Sequence, residues 1–188
     1  VIRYGYGFVQ GADAAAVELG LEDVTINYAY GNQFYGDADI TAAMDTWYAN
    51  GTEIVFACGG PMFDSITAAA SANDAAVIGV DVDQSFLSDT VVTSALKGLS
   101  AATEWAIGKF YAGEWDEIGG ENISLGAAED AVGLPTATWS LEGITVAEYE
   151  GLLASIKGGD LVIDNQYPEG ADITSLNSNF VTINFVEG

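Results

Sequence analysis

Residues 75–84, Ala-Ala-Val-Ile-Gly-Val-Asp-Val-Asp-Gln, followed by 91–97, Val-Val-Thr-Ser-Ala-Leu-Lys, decide the fold. An apolar run as continuous as Ala75 to Val80 reads as a strand covered on both faces, which is the habit of a parallel sheet. That run stops in Asp81 and Asp83, and its neighbour stops in Lys97. Two buried strands that end in polar groups mark the carboxyl edge of an open α/β sheet, where ligands sit beyond the strand ends. Lys97 is one of 4 cations in a chain with 28 acidic residues, so it is expected to face carboxylates wherever it lies. Asp81 and Lys97 are therefore the first candidates for holding a polar ligand.

Outward from this pair, strand and helix patterns take turns. Val1 to Leu19 carries apolar residues at helical spacing and stops at Gly20, and Val24 to Tyr30 alternates as a strand. The pattern predicts a helix over Asp37 to Asn50, a short buried strand over Thr52 to Cys58 and a helix over Phe63 to Ala72. Beyond Lys97 it predicts a helix over Ser100 to Ala112, a strand over Asn122 to Ala127 and a helix over Thr145 to Lys157 capped by Thr145. Leu161 to Asp164 and Val181 to Val186 read as further short strands. This alternation is the signature of a parallel α/β sheet with right-handed crossovers. A doubly wound domain normally opens on a strand, whereas the first element here is a helix. The expectation is a piece of a longer protein whose feeding strand lies upstream of Val1.

Composition narrows the partners. The formal charge is −24 and the pI near 4.1. Arg3, Lys97, Lys109 and Lys157 cannot supply the basic footprint that nucleic acid or an anionic membrane requires. The acidity reads as a solvated surface that keeps the chain soluble in salt. No calcium loop of the D-x-D-x-D-G kind is present, there is no histidine, and Cys58 is the single cysteine, so neither a metal site nor Ser-His-Asp or Cys-His chemistry is expected. No cofactor is implied.

Three stretches carry chemistry. Gly59 and Gly60, before Pro61, Met62 and Phe63, form a turn where a ligand can approach the backbone, and Phe63 is a candidate wall for stacking on a flat heterocycle. Asp81 and Asp83 are two acceptors suited to the vicinal hydroxyls of a sugar, on one side of the strand if it continues that far. Gly31 to Asp37 adds amide and aromatic groups, with Phe34 and Tyr35 as alternative stacking residues and Asp37 as a helix cap. Trp47, Tyr48, Trp105, Trp115 and Trp139 are assigned to packing.

In order, Tyr4-Gly-Tyr-Gly-Phe-Val-Gln-Gly-Ala, the Gly31-to-Asp39 loop, Phe56-Ala-Cys-Gly-Gly, Ile78-Gly-Val-Asp-Val-Asp-Gln and Thr93-Ser-Ala-Leu-Lys resemble the basic membrane protein family from Val1 to about Gly133. These are substrate-binding lipoproteins of ABC importers, purine nucleoside receptors among them. The resemblance implies a type I periplasmic-binding fold of two α/β lobes with a nucleoside closed between them, a monomer anchored by lipid at the outer face of the membrane and served by an ABC permease. It implies that 1–100 forms the carboxyl-terminal lobe without its first strand, that 101–141 returns to the amino-terminal lobe, and that 142–188 returns again and forms the tail. Asp81 would accept from ribose hydroxyls, Lys97 would donate to them, and Gly59 and Gly60 would form the glycine turn. The family often continues that turn as Gly-Thr-Gly, where this chain has Pro61, Met62 and Phe63. Two other readings stay open: a nucleoside- or sugar-processing enzyme using Asp81 and Asp83, and a cytosolic ligand sensor related to the binding proteins.

Overall fold

The computed structural model of the chain describes residues 2–31, 33–165, 173, 178 and 180–186. Val1 and Asn32, which the sequence reading included in its first helix and its amide-rich loop, lie outside them. Five α-helices and six strands are described: α1 (Ile2–Leu19), β1 (Val24–Tyr28), α2 (Ala38–Ala49), β2 (Ile54–Phe56), α3 (Phe63–Ala72), β3 (Ala76–Asp81), β4 (Val91–Lys97), α4 (Leu99–Tyr111), β5 (Val132–Gly133), α5 (Val146–Gly158) and β6 (Val181–Phe185).

β2, β3 and β4 run parallel in the order the sequence implies, and β5 closes that four-stranded sheet antiparallel to β4. A second sheet pairs β1 with β6, also parallel, placing Asn27 opposite Asn184. The larger core lies between α2, α3 and the β2–β3–β4 strands, where Met44, Tyr48, Val55, Phe63, Ile66, Val77 and Val91 meet. Tyr48 hangs its hydroxyl on the Ala76 carbonyl at 3.0 Å, and burial pushes that phenol up to about 12. The smaller core joins Tyr6 and Val9 of α1 to Ile173, against Ile26 and Tyr28 of β1 and Ile183 and Phe185 of β6. Opposite this apolar stripe, Phe8 of α1 meets Phe56 of β2 with ring centroids 5.4 Å apart, so α1 ties the two sheets together.

Caps explain most helix boundaries. Asp37 accepts from the Ile40 amide at 2.8 Å and opens α2. Thr145 and Glu148 exchange bonds in a capping box at α5, which ends on Gly159 at φ 78. Two expected strands are absent. Residues 122–126 are irregular and lead into a 3-10 turn at Ala127–Glu129, and 161–164 are irregular and exposed. In each case apolar alternation lacked a partner edge; β5 at Val132–Gly133 occupies the edge of β4 instead. The tryptophan expectation also needs correction: Trp47 packs against the larger core, but Trp115 is 48% exposed. Among the described residues no helix is long and apolar enough to cross a membrane.

Candidate functional site

The parallel strands deliver their carboxyl ends to one edge. Asp81 is the last residue of β3 and pairs in register with Leu96, so Lys97 is the next residue on the neighbouring strand. Lys97 Nζ and Asp81 Oδ1 lie 4.0 Å apart, with about half of each side chain still open to solvent (55% and 47%). An ion pair so exposed adds little to folding. The backbone at Asp81 points the same way: its φ is +70, in the left-handed region, and the Val82 amide donates to the Val80 carbonyl at 2.9 Å across a γ-turn centred on it. A non-glycine residue held there carries local strain, milder for aspartate than for most, and Asp23, Asp74 and Asp130 adopt positive φ at other turns of the chain.

This turn overrides the expectation that Asp81 and Asp83 share a face. The strand stops at Asp81, and Asp83 accepts from Thr138 Oγ1 at 2.6 Å and from the Ser85 amide at 3.0 Å. Those bonds, Thr138's first, hold the Asp83 carboxyl below the ordinary carboxylate range. Asp83 is thus a clasp between the β3–β4 loop and the 134–141 segment. Gln84 completes the fold-back by accepting from the Val80 amide at 2.8 Å while its own amide donates to Ser94 Oγ at 3.0 Å.

The glycine turn is also built differently from the expectation. Gly60 sits at φ +59, which favours glycine, but a side chain at Gly59 or at Gly31 would run into Met62. These small residues therefore make room for the Met62 side chain. Phe63 is a correction: it is 3% exposed inside the larger core and cannot form a wall of the site. The exposed rings at this edge are Phe34 (61%) and Tyr35 (62%), and the Phe34 ring lies 3.9 Å from where a Gly60 side chain would begin. Ser65 Oγ donates to the Asp37 carbonyl at 3.0 Å and fastens the 31–37 loop to α3.

Two further groups reach the strand tips. Tyr4, in the first turn of α1, donates its hydroxyl to the Leu96 carbonyl at 3.1 Å. Burial pushes its phenol up, and the Asp81 carboxylate and then Cys58 add to this. Cys58 follows β2, and its thiol is raised mainly by burial. In the sequence the one signal at Tyr4 is its helical spacing with Phe8, on the stripe opposite Tyr6 and Val9. Among the described residues no group of three or more carboxylates or thiols is placed to hold a metal ion. The arrangement offers a carboxylate acceptor, an ammonium donor and nearby aromatic surface, which is chemistry for recognising a neutral polar molecule.

A family model described as ABC transporter substrate-binding protein PnrA-like matches residues 1–163, well past the limit of about Gly133 suggested by motifs alone. Among solved structures the chain is similar to ABC transporter system solute-binding proteins from Aeropyrum pernix K1, with a TM-score of 0.64 and 19% identity, over 87% of this chain and 54% of that one. It is also similar to a transcriptional activator of the comK gene from Bacillus halodurans, with a TM-score of 0.56 and 12% identity, over 81% of this chain and 62% of that one. Identities this low speak for a shared α/β fold, and the chain spans about half the length of the first of these structures. No curated protein matches. With a family match over residues 1–163 of 188 and the α/β fold in agreement, the chain belongs to the PnrA-like family of ABC transporter substrate-binding proteins.

Proposed function

We propose that the chain is part of the substrate-binding component of an ABC importer and that its ligand is a purine nucleoside, held by the ribose at Asp81 and Lys97. The observation that carries this reading is the Asp81–Lys97 pair at 4.0 Å on neighbouring strand tips, with Asp81 held at φ +70. A carboxylate accepts from hydroxyls and an ammonium donates to them, so the pair suits a diol. Gly60 leaves the adjoining turn open beside Phe34, which supplies the stacking surface in place of Phe63, while the space beside Gly59 is taken by Met62. The reading is of binding without turnover.

The whole protein would have two lobes, with 1–100 in the carboxyl-terminal lobe, α4 beginning the return to the other over 101–141, β5 and Thr138 tying the end of that stretch back to β4 and Asp83, and 142–188 returning again. α4 supports this division. Among the described residues none of α4 is buried, and Leu99, Ile107, Phe110 and Tyr111 are 50% to 82% exposed. A helix with that much bare apolar surface is suited to packing against a second lobe. The protein would act as a monomer, anchored by lipid outside the cell and passing its ligand to a permease.

Calorimetry against adenosine, guanosine, inosine, free purines and pentoses tests the reading. Heat with a nucleoside, which Asp81→Asn binds about thirtyfold more weakly, is the expected result; heat with a plain sugar and none with nucleosides would overturn the ligand assignment. Conversion of inosine into products would establish the enzyme reading instead. The cytosolic sensor stays as a second reading because of the likeness to the comK activator structure. A signal peptide with a lipid-attachment cysteine in the full gene would dismiss it.

A further inference from the structure

We propose that Tyr4 is a specificity-determining residue of this site, its phenolic oxygen acting only as an acceptor for a ligand hydroxyl beside Asp81. The inference rests on the binding reading above and names a group that reading does not use. Its geometry starts from the register: Leu96 lies opposite Asp81 and precedes Lys97, and the Tyr4 hydroxyl is hydrogen-bonded to the Leu96 carbonyl at 3.1 Å. The phenolic oxygen is thereby fixed at the same two strand tips as the charged pair.

A tyrosine hydroxyl has one proton and two acceptor positions. With the proton committed to Leu96, what remains for a ligand is acceptance. Burial and the Asp81 charge both raise the phenol's pKa, so the proton stays on the oxygen at neutral pH and the polarity of the group is fixed. The ring is held as well, packed on Phe56 at 6.4 Å between centroids. In the same turn Gly5 lies so close to Tyr28 that a side chain there would collide with the Tyr28 ring, which keeps α1 near β1.

The strand tips then present two acceptors, Asp81 and Tyr4, and one donor, Lys97. A molecule with hydroxyls satisfies all three. One that has lost the hydroxyl facing Tyr4 leaves the acceptor positions of that half-buried oxygen unmet while its proton stays committed to Leu96, and a site built to bond a hydroxyl rejects such an analogue.

Titration calorimetry of the 188-residue chain and its Tyr4→Phe variant with inosine, 2′-deoxyinosine and 3′-deoxyinosine, in molar salt, tests this. The expected result is that wild type prefers inosine over one deoxy analogue by about tenfold, and that Tyr4→Phe weakens inosine by about tenfold while leaving that analogue unchanged. Equal weakening of all three ligands would mean that Tyr4 only supports α1, and an unchanged ratio would mean that it does not touch the sugar; either overturns the proposal alone. Absence of heat from wild type with all three overturns the nucleoside reading and this inference with it. Carbon NMR of wild-type protein labelled at tyrosine Cζ gives a second readout free of any folding defect: the Tyr4 signal should move with inosine and less with the deoxy analogue, and a stationary signal on saturation sinks the proposal.

Discussion

At Asp81 two demands on one residue can be separated by choice of substitution. Glycine accepts φ +70 without cost, so Asp81→Gly should raise stability by about 1 kcal/mol while removing the carboxylate. Asparagine tolerates positive φ about as well as aspartate does, so Asp81→Asn should leave the melting temperature close to wild type and cost about 2 kcal/mol of ligand affinity. Chemical denaturation and calorimetry on both variants measure the two effects; a destabilised glycine variant would contradict the strain at this turn. Phe63 and Phe34 form a second contrast. Phe63→Ala should cost about 3–5 kcal/mol of stability because it empties a core position, whereas Phe34→Ala should leave stability nearly unchanged. The charged pair was legible in the sequence because strand ends are marked by a change from apolar to polar residues. The burial of Phe63 was not, because a phenylalanine directly after a turn gives no sign of whether it faces inward. Asp83 was misjudged for a related reason: alternation holds only while the strand lasts, and a γ-turn ends it at Asp81.

Elements were read most faithfully where a local signal closes them. Over the described residues all five helices fall within a residue of expectation, and in α2, α3 and α5 Asp37, the Gly60-Pro61 turn and the Thr145–Glu148 box act on adjacent amides. The 122–127 and 161–164 stretches failed because a strand depends on an edge elsewhere in the chain, which no window of sequence contains. The clasp from Asp83 to Thr138 is such a distant dependence, and it is sensitive to pH. Its folded carboxyl lies below the ordinary value, so its contribution is fully present above about pH 4 and is lost as pH falls through the depressed folded value. Asp37 and Glu148, lowered by the Ile40 and Thr145 amides respectively, follow the same sign. In molar salt the melting temperature should therefore fall below about pH 4, and the fall should be shallower in Asp83→Asn. A variant as acid-sensitive as wild type would remove the clasp from the explanation.

Across the whole molecule, charge is the dominant unbalanced quantity. Lys109 pairs with Glu114 and Glu117, Lys157 with Asp130, and Lys97 with Asp81, which still leaves a net −24. Repulsion among surface carboxylates acts over about 10 Å at 0.1 M salt and about 3 Å at 1 M. Raising sodium chloride from about 0.1 M to 2 M should lift the melting temperature by at least about 5 °C, a shift worth roughly 1–2 kcal/mol for a chain of this length. Scanning calorimetry at several salt concentrations measures it, and a flat response would show that the carboxylates lie too far apart to repel. The pairing of β1 with β6 has a consequence in time. Asn27 and Asn184 meet across 157 positions of sequence, so during synthesis β1 waits for almost the entire chain before its partner leaves the ribosome. Until then the edge that β6 covers is open to any passing strand, and the rate at which those intervening residues are translated sets how long that exposure lasts.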